Sequence, residues 1–130
     1  MFMSMLKDGL GKKVWAFSAG HIPLHSTGKE PEFTSHDKIA VLNTGERTAE
    51  IKITIFYEDG KPVQDHAIKI QGRRIRKIRF NDLIDPKPIP LDKPFGFILT
   101  SDVNVIVQFI RMDTSSGQHA GFCVTPFFNN

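Results

Sequence analysis

Between residues 50 and 57 the chain alternates almost without a break, with Ile51, Ile53, Ile55 and Tyr57 set against Glu50, Lys52, Thr54 and Phe56. A period of two assigns each set to one face of a strand, so one face is buried. Shorter runs of similar pattern lie at 14–19, where Trp15, Phe17 and Ala19 share a face, and at 38–43, 67–70, 95–100 and 120–125. The run 104–112 puts Val105, Val107 and Phe109 on one face and Ile106 and Ile110 on the other, with Gln108 as the polar exception. It reads as a central strand buried on both sides. Gly20, Asn43-Thr44-Gly45 and Asp59-Gly60 punctuate these runs as turns. With residues 73–80 added below, the pattern predicts an all-β fold, an antiparallel β-sandwich of jelly-roll-like type with about eight short strands and no sustained helical period.

Residues 73–80 are the awkward strand. Alternation puts Arg73, Ile75, Lys77 and Arg79 on one face and Arg74, Arg76, Ile78 and Phe80 on the other, so neither face is uniformly apolar. The odd spacing of Ile75 and Ile78 predicts a bulge between them, or an arginine turned inward. An inward arginine needs an acceptor, and Asp82 and Asp85 are the nearest in sequence. Asn81-Asp82 then closes a turn, and Pro86, Pro88 and Pro90 make the following segment a stiff connector.

Charge changes the picture at this same place. Lys69, Arg73, Arg74, Arg76, Lys77 and Arg79 are six of the chain's 17 lysines and arginines; without them the formal charge of +3 becomes −3. A patch of that kind serves an anionic partner, an internal ion-pair network or simply a solvated face. Nucleic acid is the partner to weigh first, with Lys69, Arg73, Arg76 and Lys77 as the basic patch and Phe80 as its one nearby stacking platform. No helix-turn-helix, RNA-recognition or zinc-finger signature accompanies it.

Other chemistry is sparse. The 130 residues fit one domain, read as 13–130 after a tail at 1–12 that is loose or docked on a partner. One cysteine, Cys123, allows no internal disulfide, and the short MFMSML start lacks the makings of a signal peptide, so a cytoplasmic location is expected. No nucleophile elbow, phosphate loop or His-Glu-x-x-His motif is present, and a non-enzymatic protein without cofactor or metal is expected. His119 and Cys123 stand four apart, about 13 Å along a strand, too far for a thiol–imidazole pair, which leaves Cys123 as a small core residue. His21 and His25 bracket Pro23 in a long loop, where His36, Glu30 or Glu32 would have to complete any metal site.

Certain residues resemble a known family. Trp15-Ala16, Gly20, Ile22-Pro23, Pro31-Glu32-Phe33, Ser35-His36, Leu42-Asn43, Gly45 and Ile53-Thr54-Ile55 with Tyr57 are similar to the pattern of the sensory rhodopsin transducers. Arg73-Arg74, Arg79-Phe80-Asn81-Asp82-Leu83, Asp85-Pro86, Pro88-Ile89-Pro90, Val107-Gln108, Arg111 and Asp113 continue it, so that it spans 11–125. Two departures are Asn104 and Phe109, near which the family pattern has proline and histidine. The resemblance implies a small soluble bacterial β-sandwich that assembles as a homotetramer. It implies a partner at the cytoplasmic face of a membrane receptor, and binding of a small polar ligand, sugar-like or anionic. On that basis Trp15, His36, Asn43, Arg74, Arg79, Asn81, Asp82, Gln108 and Arg111 are the candidate ligand-binding residues. They offer an aromatic face with amide, carboxylate and guanidinium groups, the chemistry a sugar-like ligand requires. The expected function is therefore a non-enzymatic signalling domain, with a nucleic-acid-binding regulator as the alternative.

Overall fold

The computed structural model describes residues 9–24, 35–115 and 120–129. Among them run eight strands: β1 (Lys12–Gly20), β2 (His36–Asn43), β3 (Ala49–Tyr57), β4 (Val63–Ile70), β5 (Arg74–Arg79), β6 (Phe95–Asp113), β7 (Ala120–Val124) and β8 (Phe127–Asn129). A single 3-10 turn, Phe80–Asp82, follows β5. Every pairing is antiparallel. One layer runs β4-β3-β6-β1-β8, and the other is β5-β2-β6-β7.

The two layers share β6. Its first part, Phe95 to Ser101, lies against β3, and its last part, Ile106 to Asp113, lies between β2 and β7. The runs expected as two strands, 95–100 and 104–112, are thus one strand of 19 residues. Phe95, Phe97, Leu99, Ser101, Val103, Val105, Val107 and Phe109 all face inward, so the period of two continues unbroken through the crossing. Ser101-Asp102 resembles a turn in sequence, but its side chains replace ladder bonds. Ser101 Oγ accepts from Val103 N at 3.3 Å, and Asp102 Oδ1 accepts from Glu50 N at 2.8 Å. On the outward face Ile106 and Ile110 are only half-buried and Gln108 is exposed, so β6 is central in its pairing yet covered on one side.

Aromatic rings fill the space between the layers. Phe17 stacks on Phe109 with ring centres 4.0 Å apart, and Phe80 reaches Phe97 at 5.0 Å and Phe95 at 5.4 Å. Phe80 and Phe109 are fully buried, which makes them packing residues. Position 109, where the chain departs from the family pattern, is therefore not on a surface.

β5 needs no bulge. It pairs with β2 in continuous register from Lys38↔Arg79 to Asn43↔Arg74. Ile78 points into the core, while Ile75, on the outward face, is 60% exposed. The count of eight strands holds although the parsing differs, since two predicted strands merge and the short β8 has no counterpart in the sequence pattern. Residues 9–12 are tied to the domain: Leu10 N donates to Thr44 Oγ1 at 2.7 Å, and Gly9 O accepts from Asn104 Nδ2 at 3.3 Å. Residues 1–8 lie outside the described residues. Among the described residues, no helix is long and apolar enough to cross a membrane.

Candidate functional site

Strand direction sorts the nine candidate residues. β2 begins at one end of the sandwich and finishes at the other, so His36 and Asn43 are a strand's length apart. Near the His36 end lie Arg79, Asn81, Asp82 and Arg111; near the Asn43 end lies Arg74. Gln108 is exposed on the outward face opposite Ala40. Trp15 is 4% exposed, with its indole N–H donating to Lys12 O at 3.1 Å and its ring 5.4 Å from that of Phe128. The nine side chains do not share one cavity.

At the His36 end the organising group is Asp37, a residue the sequence pattern does not single out. β2's alternation carries it inward with Ile39 and Val41, and its carboxylate is fully buried. Arg111, directly opposite on β6, donates to it twice, from Nε at 2.8 Å and Nη2 at 3.0 Å. His21 N adds a third bond at 2.8 Å. Arg111 also donates to Ala19 O and lies 5.3 Å from the Phe122 ring centre and 5.6 Å from that of Phe109. A buried carboxylate held by a bidentate guanidinium is stable only while both remain. Arg111 is therefore a brace for the end of β1. Beside it, Asn81 Nδ2 donates to Ser35 O at 3.2 Å, and Ser35 Oγ accepts from Thr114 N at 2.9 Å. His36 is buried at the start of β2, Arg79 is half-buried and Asp82 is exposed.

Asn43, at the other end, is engaged on both sides of its amide. Its Nδ2 donates to Arg47 O at 2.8 Å and Ile70 O at 3.1 Å, while Oδ1 accepts from Gly45 N at 3.1 Å. It thereby joins the loop from β2 to β3 with the one from β4 to β5. Those bonds hold one wall of a cleft of about 440 Å³ lined by Lys13, Asn43, Gly45, Glu46, Arg47, Val103 and Asn104. Glu46 is already turned to Arg73 at 3.3 Å. Lys13 and Arg47 leave the lining cationic, and no lining side chain is aromatic. A second depression of about 370 Å³, over Phe17, Phe56, Tyr57 and Phe95, is mostly apolar. Lys13, Arg47 and Asn104 escape a sequence reading because single polar residues in turns give no periodic signal.

The basic block occupies the open side of the sandwich, where β4 and β5 are edge strands of opposite layers. Lys69, Arg73, Arg74, Arg76 and Lys77 are all exposed. Arg74 and Arg76 do fall on the inward-facing side of β5 but emerge beyond the core. They bond to backbone carbonyls, Arg74 Nη1 to Arg73 O and Arg76 Nη1 to Lys69 O, each at 3.1 Å. The expected acceptors Asp82 and Asp85 are not the ones used. Lys69 lies 3.5 Å from Glu50.

Three titrating groups are displaced from their ordinary range, the first being Tyr57, whose phenol is pushed up by burial. Burial pushes the His66 ring down, and the Asp85 backbone and carboxylate partly oppose that. Hydrogen bonds from the Ser115 side chain and backbone hold Asp113 low. His21 Nε2 is 3.3 Å from Asp92 Oδ1. His25, Glu30 and Glu32 of the candidate metal loop, and His119 of the thiol–imidazole pair, lie outside the described residues. Among the described residues no three histidine, cysteine or acidic side chains gather as metal ligands. Cys123 is exposed on β7, so it is not a core residue.

Comparison with known proteins agrees with this architecture. The family model described as Anabaena sensory rhodopsin transducer matches residues 10–128. The crystal structure of Thermotoga maritima 1070 is 31% identical with a TM-score of 0.77, over 92% of this chain and 96% of that one. The Anabaena sensory rhodopsin transducer structure is 41% identical with a TM-score of 0.71, over 77% and 87% of the respective chains. No curated protein sequence matches. With the family model covering nearly the whole domain and the fold shared with both structures, the chain belongs to the Anabaena sensory rhodopsin transducer family.

Proposed function

We propose that this chain is a non-enzymatic signalling domain that binds a small polar, anionic ligand in the Lys13–Arg47 cleft and relays its occupancy to a protein partner. The cleft is the single observation that carries the ligand half. Lys13, Arg47 and Asn104 line it, Glu46 is paired with Arg73, and the wall is fixed by Asn43. Without an aromatic lining residue, the chemistry favours a sugar phosphate or similar anion over a stacked neutral sugar. The partner half rests on kinship, since the family's name refers to transduction from a sensory rhodopsin. A receptor at the cytoplasmic face of a membrane is thus the proposed partner. Assembly as a homotetramer is part of the same reading, supported by apolar side chains exposed on the outward face of the β3-β6-β1-β8 layer, Phe56, Ile98 and Phe127.

A nucleic-acid-binding regulator is the second reading, favoured by the exposed cations on β5. It loses its stacking platform, because Phe80 is fully buried. The test is a thermal-shift titration with glucose 6-phosphate, glucose and a short DNA duplex at low and moderate salt. The sugar phosphate should raise the melting temperature, and the Lys13→Ala/Arg47→Ala variant should lose the effect. A shift with the duplex alone, disappearing as salt rises, would transfer the conclusion to the regulator. No shift with any of them would remove the ligand half.

A further inference from the structure

We propose that the free edge of β5 receives an extended acidic segment of a partner protein by strand addition. This deepens the partner half of the function proposed above and leaves the cleft out. Among the described strands β5 pairs with β2 alone. Alternate N–H and C=O groups along its other edge therefore meet no strand, and such a row is a template for another chain.

Cations on an edge ordinarily act as guards that repel further strands. On β5 the guard has one sign only, so it turns into an attraction when the incoming strand is acidic. No carboxylate of the described residues pairs with Arg74, Arg76 or Lys77, whereas the flanking Arg73 and Lys69 face Glu46 and Glu50. The bonds from Arg74 and Arg76 to backbone carbonyls fix part of each guanidinium and leave other N–H groups to donate.

Alternation then gives the partner's pattern. Arg74 and Arg76 lie on one face of β5; Ile75 and Lys77 lie on the other, where Ile75 is 60% exposed beside Leu42. A strand laid along this edge places two acidic side chains at alternate positions against the guanidinium groups and an apolar one against Ile75. The other edges do not offer this: β7 and β8 carry no charged residue, and Lys69 on β4 already faces Glu50.

The test uses the whole protein and a fluorescent octapeptide of alternating glutamate and valine, read by anisotropy. A peptide of equal charge with prolines in place of two valines lacks the donors for pairing. A short DNA duplex is the third probe. The alternating peptide should bind and slow hydrogen exchange at the amides of 74–79. Arg74→Gln/Arg76→Gln/Lys77→Gln, checked for an unchanged melting temperature, should weaken it at least about tenfold. Lys13→Ala/Arg47→Ala should leave it unchanged, so the edge and the cleft fail separately. The proposal is overturned by equal binding of the proline peptide, by full binding in the triple variant, by binding of the duplex alone or by no peptide binding.

Discussion

Asp37 and His66 are both enclosed by this fold, and they answer differently to a lost partner or a gained proton. The Asp37 carboxylate is met by three donors. The isosteric substitution Asp37→Asn sets an amide N–H against one of those donors and leaves the Arg111 charge uncompensated. The expected loss is about 3 kcal/mol, measured from urea unfolding midpoints; a change within experimental error would mean the pair contributes nothing to the fold. His66 is 1% exposed, and neither ring nitrogen makes a well-formed hydrogen bond among the described residues. Because its folded pKa lies below the ordinary 6.5, the unfolded chain takes up the proton first. Stability is therefore full above about pH 6.5 and declines as the pH falls below it. Unfolding midpoints measured from pH 7.5 to 5 should show this slope, and His66→Leu should flatten it. Asp113 adds a later loss, confined to the acid side of the carboxylate range because its pKa is lowered.

Elements are legible in proportion to how far local pattern and tertiary role agree. Strand β3 is plain because its inward residues Ile51, Ile53 and Ile55 are all isoleucine. The single β6 is not, because Ser101-Asp102 has the composition of a turn while occupying the place where the strand leaves one layer for the other. β5 misleads in the opposite sense. The odd spacing of its isoleucines reflects an edge position, where only Ile78 has a layer to face. Asn43, Asn81 and Arg111 stand out in the sequence as polar residues a plain core would not require, yet sequence cannot reveal that each is committed to neighbouring backbone or, for Arg111, to Asp37. The crossing itself makes a prediction. Gly11 has φ +108°, and a Cβ there would lie 2.0 Å from Val105 O. Gly11→Ala should then cost about 2 kcal/mol or more, combining backbone strain with displacement of β6. An unchanged thermal midpoint would show that β1 can move aside.

At the scale of the whole molecule, the ends of the sandwich have distinct characters. One is closed by the Asp37–Arg111 brace and the Ser35–Thr114 contact, and the other is opened by the Lys13–Arg47 cleft. The open side between β4 and β5 collects the positive charge concentrated between 69 and 79. The cleft, the β5 edge and the outward face of the β3-β6-β1-β8 layer are the surfaces assigned above to the proposed ligand, partner and neighbouring copy. The first two adjoin where Asn43 pairs with Arg74. Val103 and Asn104, which line the cleft, also belong to the stretch of β6 between its two sets of partners. That arrangement constrains the gene as well as the molecule. Recombination that exchanged one layer for a homologous one would need several crossovers, because β1, β3, β4 and β8 alternate along the chain with β2, β5 and β7, and one break would have to fall within the codons for β6. The two layers can diverge in surface chemistry, but they are inherited together.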